Sequence, residues 1–257
     1  MKAEAQEPAV LEPILASTRR RVEALPAASA TRARAPSFAA GLRGEMVAVI
    51  AEFKRRSPSA GSIHENADPE SFAASYVKGG AAAISVLTEP AHFGGAMSDL
   101  RLAARAGVPV LCKDFIIDER QLDECAAAGA AAALLIVRIL TDERLRALLG
   151  AVRARAMDAL VEVHTAAELE RAVDAGAEII GVNARDLDTL RVHSELVIAL
   201  LPRIPRGIVR IAESGIRSRE DVERYRDAGA DAVLVGTAVA GSADPEAAVR
   251  RLSGVKK

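Results

Sequence analysis

Short apolar runs, most of them stopped by a polar or charged residue, recur along this chain and alternate with segments of helical period. The runs fall at 46–53, 82–87, 110–115, 133–137, 159–163, 179–183, 209–213 and 232–235, at intervals of roughly 20 to 36 residues. Each reads as a short buried strand. Between them the apolar residues return every three to four positions, as in helices that cover a sheet. The joints recur too: Gly79-Gly80, Gly129, Gly176 and Gly229 each stand between a helix and the next strand, where glycine supplies a left-handed cap. DAGAEIIGVN at 174–183 and DAGADAVLVG at 227–236 nearly repeat one another, which supports an array of similar units. Helix starts are marked by Thr165 with Glu168 as a capping box, by Ser218 with Asp221, and by Asp118 ahead of Leu122 and Cys125.

Eight βα repeats in 257 residues predict an α/β protein with one (β/α)8 TIM barrel over 46–257, a fold that takes about 250 residues. The competing architecture is a doubly wound open sheet, which carries a glycine-rich turn after its first strand. Here that turn reads Lys54-Arg55-Arg56-Ser57-Pro58-Ser59-Ala60-Gly61 and lacks the spaced glycines. Residues 1–45 stand outside the repeat and are expected to form an N-terminal helical extension packed on the barrel, within a single structural domain. Leu11, Ile14, Leu15, Thr18, Val22 and Leu25 make one apolar stripe at helical spacing, and 31–44 is a connector or a short second helix. The stripe suits a helix covering the bottom of the barrel or one that reaches the top and helps close a site there.

The residues that interrupt the runs carry the chemistry. Glu52 and Lys54 end the first run, Lys113 sits in the third, Glu162 in the fifth, Asn183 closes the sixth, and Glu213 and Ser214 close the seventh. An unpaired charge in a buried strand costs several kcal/mol or shifts its pKa until it neutralises. Five such interruptions, each late in its strand, point to one site at the C-terminal ends of parallel strands, where barrel enzymes keep their chemistry. Strand alternation puts Glu52 and Lys54 on one face, turns Lys113 inward with Cys112 outward, and sets Glu162 between helix-facing Val161 and Val163. Inward Lys and Glu at a barrel mouth are acid and base candidates: confined opposite charges support one another's ionisation, and burial can pull a lysine toward working pH. The alternative is a purely structural ion-pair cluster. Ser214-Gly215 and Gly236-Thr237 follow the seventh and eighth strands, the usual phosphate position in such barrels, where backbone N–H groups and close approach are needed.

Composition narrows the partners. A net charge of −1 gives no electrostatic case for nucleic acid or an anionic membrane. Arg19-Arg20-Arg21 reads as the solvated face of a helix, whereas Lys54-Arg55-Arg56 adjoins the site. Cys112 and Cys125 are expected to be reduced core residues, not a disulfide framework. The most apolar stretch, 126–137, is too short to span a bilayer, and the acidic, polar N-terminus does not resemble a signal peptide. A cytoplasmic protein is expected. His64, His92 and His193 show no metal-ligand spacing, and His164, on the face of Glu162, reads as a hydrogen-bonded structural histidine.

Several longer motifs carry a resemblance. Glu52-Phe53-Lys54 with Ser57-Pro58-Ser59, Ser85-Val86-Leu87-Thr88-Glu89 with Phe93-Gly94-Gly95, and Cys112-Lys113-Asp114-Phe115 lie on the first three strands and their loops. Leu134-Leu135-Ile136-Val137, Glu162-Val163-His164, Asn183-Ala184-Arg185-Asp186-Leu187 and Glu213-Ser214-Gly215-Ile216 follow. Together they resemble the indole-3-glycerol phosphate synthase family of tryptophan biosynthesis over nearly the whole chain.

The resemblance implies a cofactor-free, metal-free ring closure of 1-(2-carboxyphenylamino)-1-deoxy-D-ribulose 5-phosphate, with loss of carbon dioxide and water, by a monomer acting on a small phosphorylated substrate. It implies Lys113 as general acid and Glu162 as general base. Lys54 would be a mobile-loop lysine at the substrate carboxylate, and Glu52 would orient the lysines. Asn183 would bond the reacting hydroxyl region, and Arg185 would lie on the carboxylate side. Ser214, also counted with the catalytic group, would take the phosphate with Gly215 and Gly236, with Thr237 and Ser57 as further donors. Pro58, Phe93, Phe115, Leu134, Leu187 and Leu190 would form the apolar pocket for the aromatic ring, beside Ser57. Ala184, Ala96 and Thr237 depart from the residues usual in the family. Two rivals remain: a phosphate-binding barrel isomerase of the same pathway, which uses a first-strand Cys where this chain has Glu52 and Lys54, and a non-catalytic barrel that binds a phosphorylated metabolite.

Overall fold

The apolar runs become eight parallel strands that close on themselves in chain order. The computed structural model describes residues 10–26, 35–58, 61–63 and 65–257. The strands are β1 Ala48–Phe53, β2 Ala83–Leu87, β3 Val110–Lys113, β4 Ala132–Ile136, β5 Asp158–Val163, β6 Ile179–Asn183, β7 Val209–Glu213 and β8 Ala232–Val235. Ala48 of β1 pairs with Ala232 of β8, and Ile50 pairs with Ala83 of β2, which completes the barrel. Helices lie between successive strands.

Alternation along each strand sorts side chains into two apolar shells. Ile50, Leu111, Leu134, Leu160, Ile211 and Leu234 pack in the barrel interior. Val49, Val86, Cys112, Leu135, Val161 and Val233 pack in the layer shared with the helices. Each such Leu or Ile is worth about 1.5–3 kcal/mol when buried. The inward set ends, at the C-terminal edge, in polar residues: Glu52 beyond Ile50, Lys113 beyond Leu111, Glu162 beyond Leu160 and Glu213 beyond Ile211.

Several boundaries differ from the sequence reading. β1 starts at Ala48, because Met46 makes an antiparallel bridge to Lys256 and the Val47 N–H donates to the Val255 carbonyl at 2.8 Å. β3 stops at Lys113, since the Asp114 carboxylate accepts the N–H of Phe115 and turns the chain. β4 ends at Ile136, and Val137–Ile139 winds into a 3-10 turn. Thr165 caps its helix, but Glu168 does not close the expected box. Its carboxylate reaches one residue further back, to the N–H of His164 at 2.7 Å. The Ser218–Asp221 box forms as read.

The N-terminal extension occupies both ends of the barrel. Helix α1, Leu11–Glu23, buries Ile14, Leu15, Thr18 and Val22 at the top, while Leu25 lies past its end. Arg21 corrects the reading of a fully solvated basic face: it pairs with the buried carboxylate of Asp114 at 2.8 Å, which Thr88 also bonds. A helix stripe reports its apolar face but not what its flank meets. Helix α2, Phe38–Leu42, closes the bottom, with Phe38 and Leu42 fully buried and the Ala39 N–H on Asp158 at the start of β5. Residues 31–34 of the expected connector lie outside the described residues. Cys112 and Cys125 are free, buried thiols in contact. Among the described residues no helix is long and apolar enough to cross a membrane.

Candidate active site

Every residue nominated from the sequence lines one cavity of about 890 Å³ at the C-terminal ends of the strands. β1 contributes Glu52 and, just past its end, Lys54, whose Nζ lies 3.1 Å from Glu52 Oε1 and donates to Thr237 Oγ1 at 3.3 Å. Gly236 makes room for this pair. A Cβ there would stand 2.4 Å from Glu52 Oε1 and 2.8 Å from Lys54 Nζ.

Lys113 forms the centre of the ring. Its Nζ lies 3.1 Å from Glu162 Oε2 and 3.2 Å from Glu213 Oε2. Glu213 is the residue whose role was missed. Its place at the end of the seventh run was the available signal, but nothing in the spacing says which inward carboxylate reaches which ammonium. Gly181, facing it on β6, allows the approach, since a Cβ there would fall 2.0 Å from Glu213 Oε1. Glu52 touches Lys54 and acts on Lys113 only through space.

The electrostatics follow from one cation held by two buried anions. Burial pushes the Lys113 ammonium down, but Glu162, Glu213 and Glu52 outweigh it and hold the group above the ordinary lysine value. Of the two effects expected at a confined lysine, the opposite charges thus prevail over burial. Burial pushes Glu213 up to about 7, with the charge of Glu162 adding to the effect against Lys113. Glu162 is desolvated too, yet Lys113 first, then His164 and Asn183, hold it down at about 2. The two carboxylates thus differ because only Glu162 has His164 and Asn183 beside it.

Around this ring the remaining residues divide into polar and apolar sides. Asn183 Oδ1 accepts the N–H of Arg185 at 2.9 Å, and the Arg185 guanidinium donates to the Leu190 carbonyl at 2.8 Å. Burial, with Arg217 nearby, lowers Arg185 from its usual value. Ser214 adopts φ +67° and Gly215 +79°. A left-handed serine costs roughly 1–2 kcal/mol, and the turn it makes presents backbone to the cavity. Opposite, Gly236 precedes the short helix Thr237–Ala240, whose first N–H groups have no acceptor within the helix. On the apolar side the rings of Phe93 and Phe115 lie tilted against one another with centroids 6.3 Å apart, and Pro58, Leu134, Leu187 and Leu190 complete the wall beside Ser57. Val10, Leu11 and Ile14 of α1 join it, so the extension reaches the top of the barrel and helps enclose the site.

The loop after Lys54 folds as a small hairpin, Arg56–Ser57 against Gly61–Ser62. Arg55 anchors it with two bonds to Asp99, at 2.9 and 2.8 Å, and Arg56 donates to the Ala91 carbonyl at 2.6 Å. Of the Lys54-Arg55-Arg56 cluster, therefore, only Lys54 faces the cavity. Two of the three departures bear little on the site. Ala184 is fully buried outside the cavity, and Ala96 stands at the N-cap of the helix Met97–Ala103 without a side-chain bond, a loss of about 1 kcal/mol of stability. Thr237 supplies the hydroxyl that Lys54 meets. Among the described residues no group of three or more His, Cys, Asp or Glu is arranged to hold a metal; His64 lies outside them.

The architecture is shared with solved barrels of low sequence similarity. A 3-hexulose-6-phosphate synthase from Salmonella typhimurium superposes with a TM-score of 0.65 at 18% identity, over 80% of this chain and 96% of that one. An N-acetylmannosamine-6-phosphate 2-epimerase from Clostridium perfringens gives 0.61 at 17%, over 82% and 93%. Those likenesses speak for the fold alone. Sequence similarity goes further. An indole-3-glycerol phosphate synthase of a Nocardioides species is 53% identical over 81% of this chain and 80% of its own length. That of Streptomyces griseus is 50% identical over 86% and 83%, and that of Mycolicibacterium vanbaalenii 46% over 95% and 93%. The profile of the same family matches residues 11–252, from the start of α1 to the end of the last helix. By this match, which takes in the extension, the barrel and every residue of the charged ring, the chain belongs to the indole-3-glycerol phosphate synthase family.

Proposed function

We propose that this chain is a carboxy-lyase that closes the ring of 1-(2-carboxyphenylamino)-1-deoxy-D-ribulose 5-phosphate to give indole-3-glycerol phosphate, carbon dioxide and water. The observation that carries the reading is Lys113, bonded at 3.1 and 3.2 Å to two buried carboxylates in a cavity with a phosphate-type turn at one side and an apolar wall at the other. Phosphate rests on the turns at Ser214-Gly215 and Gly236-Thr237, with Ser57 as a further donor. The aromatic ring lies among Phe93, Phe115, Leu134, Leu187, Leu190 and Pro58. Lys54 and Arg185 face the carboxylate.

In the first step the ring carbon bearing the carboxylate attacks the ketone carbon, and Lys113 gives its proton to the ketone oxygen. Carbon dioxide then leaves with its electron pair returned to the ring, which restores aromaticity. In the last step the new hydroxyl departs as water, protonated by Lys54, while Glu162 takes the proton from the adjacent carbon. The acid and base are linked through charge. When Lys113 gives up its proton, the cation that holds Glu162 low is gone, and Glu162 becomes a stronger base as it is needed. Glu213, near 7 in the resting site, is matched to reload Lys113 at neutral pH. Asn183 bonds the hydroxyl under reaction, and Glu52 holds Lys54.

In the same reading the chain works as a monomer in the cytoplasm and needs no cofactor. The test is direct: purified protein is mixed with the carboxyphenylamino substrate, and indole fluorescence is followed. Fluorescence growing with enzyme concentration supports the reading. A bound but unconverted substrate would leave a metabolite-binding barrel.

A further inference from the structure

Beyond the ring, one buried histidine connects the base to the loop that carries Arg185. His164 follows β5 and is 4% exposed. Its Nε2 lies 3.4 Å from Glu162 Oε1, and its Nδ1 lies 3.4 Å from Glu168 Oε2. Lys113 already holds the other oxygen of Glu162, so the carboxylate is bracketed by two groups that can carry positive charge. On the far side the Glu168 carboxylate accepts the backbone N–H of His164, and its Oε1 faces Arg138 Nε at 3.6 Å. Arg138 in turn meets Asp186 and Asp188, each at 3.3 Å, in the loop between Arg185 and Leu190. Charges therefore alternate without a break from Lys113 through Glu162, His164, Glu168 and Arg138 to that loop.

We propose that His164 is a positioning residue for the ring closure: as an imidazolium between Glu162 and Glu168 it fixes the free oxygen of the base and keeps Glu162 ionised. The inference rests on the proposed reaction. An imidazole between two carboxylates in a dry setting gains more from carrying charge than it loses on burial. The charged groups acting on it are Glu162 on β5, Glu168 on the following helix, and Arg138 after β4, which opposes the other two. Burial lowers its pKa, the carboxylates more than compensate, and the net direction is upward. Its contribution is therefore complete below the ordinary histidine value and fades as pH rises through the folded one. A packing role alone would need no charge and would not act on Glu162.

The test compares pH profiles of kcat/KM for the wild type, His164→Asn and Glu168→Gln. A positive charge beside a carboxylate shifts it by about one to three pKa units. Loss of the imidazolium should raise the acid limb of the His164→Asn profile by about one unit. Activity on that limb should then fall about tenfold, the two profiles should converge at alkaline pH where both proteins lack the charge, and KM there should be little changed. Glu168→Gln should shift the limb in the same direction by less. An acid limb at the wild-type position in His164→Asn, or an equal loss at every pH, would overturn the proposal.

A second measurement does not depend on the variant folding or on turnover. Imidazole nitrogen NMR of the intact protein with His64, His92 and His193 replaced reads His164 alone. Both ring nitrogens protonated at pH 7 support the charge; a neutral ring at pH 7 overturns it. If the wild type turns over no substrate, the proposed reaction fails instead, and the NMR result still decides the state of His164.

Discussion

Replacing Lys113 with Met keeps most of the length of the side chain and removes both its charge and its proton. At an effective dielectric of about 20, each contact of Lys113, at 3.1 and 3.2 Å, is worth about 5 kcal/mol of Coulomb attraction. Desolvation of three ions and repulsion between the carboxylates cancel much of this, and breaking a buried pair costs about 3–5 kcal/mol in practice. The bare carboxylates of Lys113→Met will respond by binding protons. Their folded pKa values will then lie above the unfolded value of about 4.3, so the variant gains stability as pH falls through the folded values, until both forms are protonated. Of these two carboxylates only Glu213 behaves this way in the wild type, since its pKa is raised and that of Glu162 is lowered. Lys113 itself, raised, contributes fully below the ordinary lysine value and fades only in strong alkali. The stability deficit measured by urea unfolding should thus be about 3–5 kcal/mol at pH 8 and clearly smaller at pH 5.5. Turnover, followed by indole fluorescence, should drop by about 10²–10⁴-fold, the contribution of a positioned acid. A deficit that does not change with pH, or turnover within tenfold of the wild type, would refute the reasoning.

Three further outcomes follow from the geometry. Gly181→Ala places a methyl 2.0 Å from Glu213 Oε1, which must move the carboxylate off Lys113; steady-state kinetics should show kcat down by about tenfold or more with the phosphate end unaffected. Gly215→Val puts a branched residue at φ +79° in the phosphate turn and should raise KM more than it lowers kcat, provided KM reports binding. Cys112 and Cys125, both buried, should resist a thiol-exchange reagent in the native protein and react with two equivalents after denaturation.

Much of this was legible in the sequence because two periods, strand and helix, fix which residues face inward. Lys113, Glu162 and Glu213 each stand two residues beyond an inward Leu or Ile, so their common layer follows from alternation alone. The pairing within that layer does not. Glu213 received no role because two inward carboxylates have equal claims on one lysine until the barrel's radius brings both within 3.2 Å. The balance between ion pairing and burial at Lys113 stayed open for the same reason, as both effects were visible and the second anion was not. Arg21 looked solvated because an apolar stripe does not disclose what lies beside it, and the stripe of α1 could not say which end of the barrel it covers. His164 was placed on the right face, but Glu168, its other partner, belongs to the next helix. Its expected role as an ordinary capping-box residue hid the bond back to His164.

The central claim is that one ring of charges at the barrel mouth couples decarboxylation to ring closure. Turnover of substrate labelled in its carboxyl carbon tests it most directly, with released carbon dioxide and indole counted in the same reaction. The account predicts one labelled carbon dioxide per indole for the wild type, and both lost together in Lys113→Met. Carbon dioxide released without indole, or substrate bound and recovered unchanged by the wild type, would contradict it.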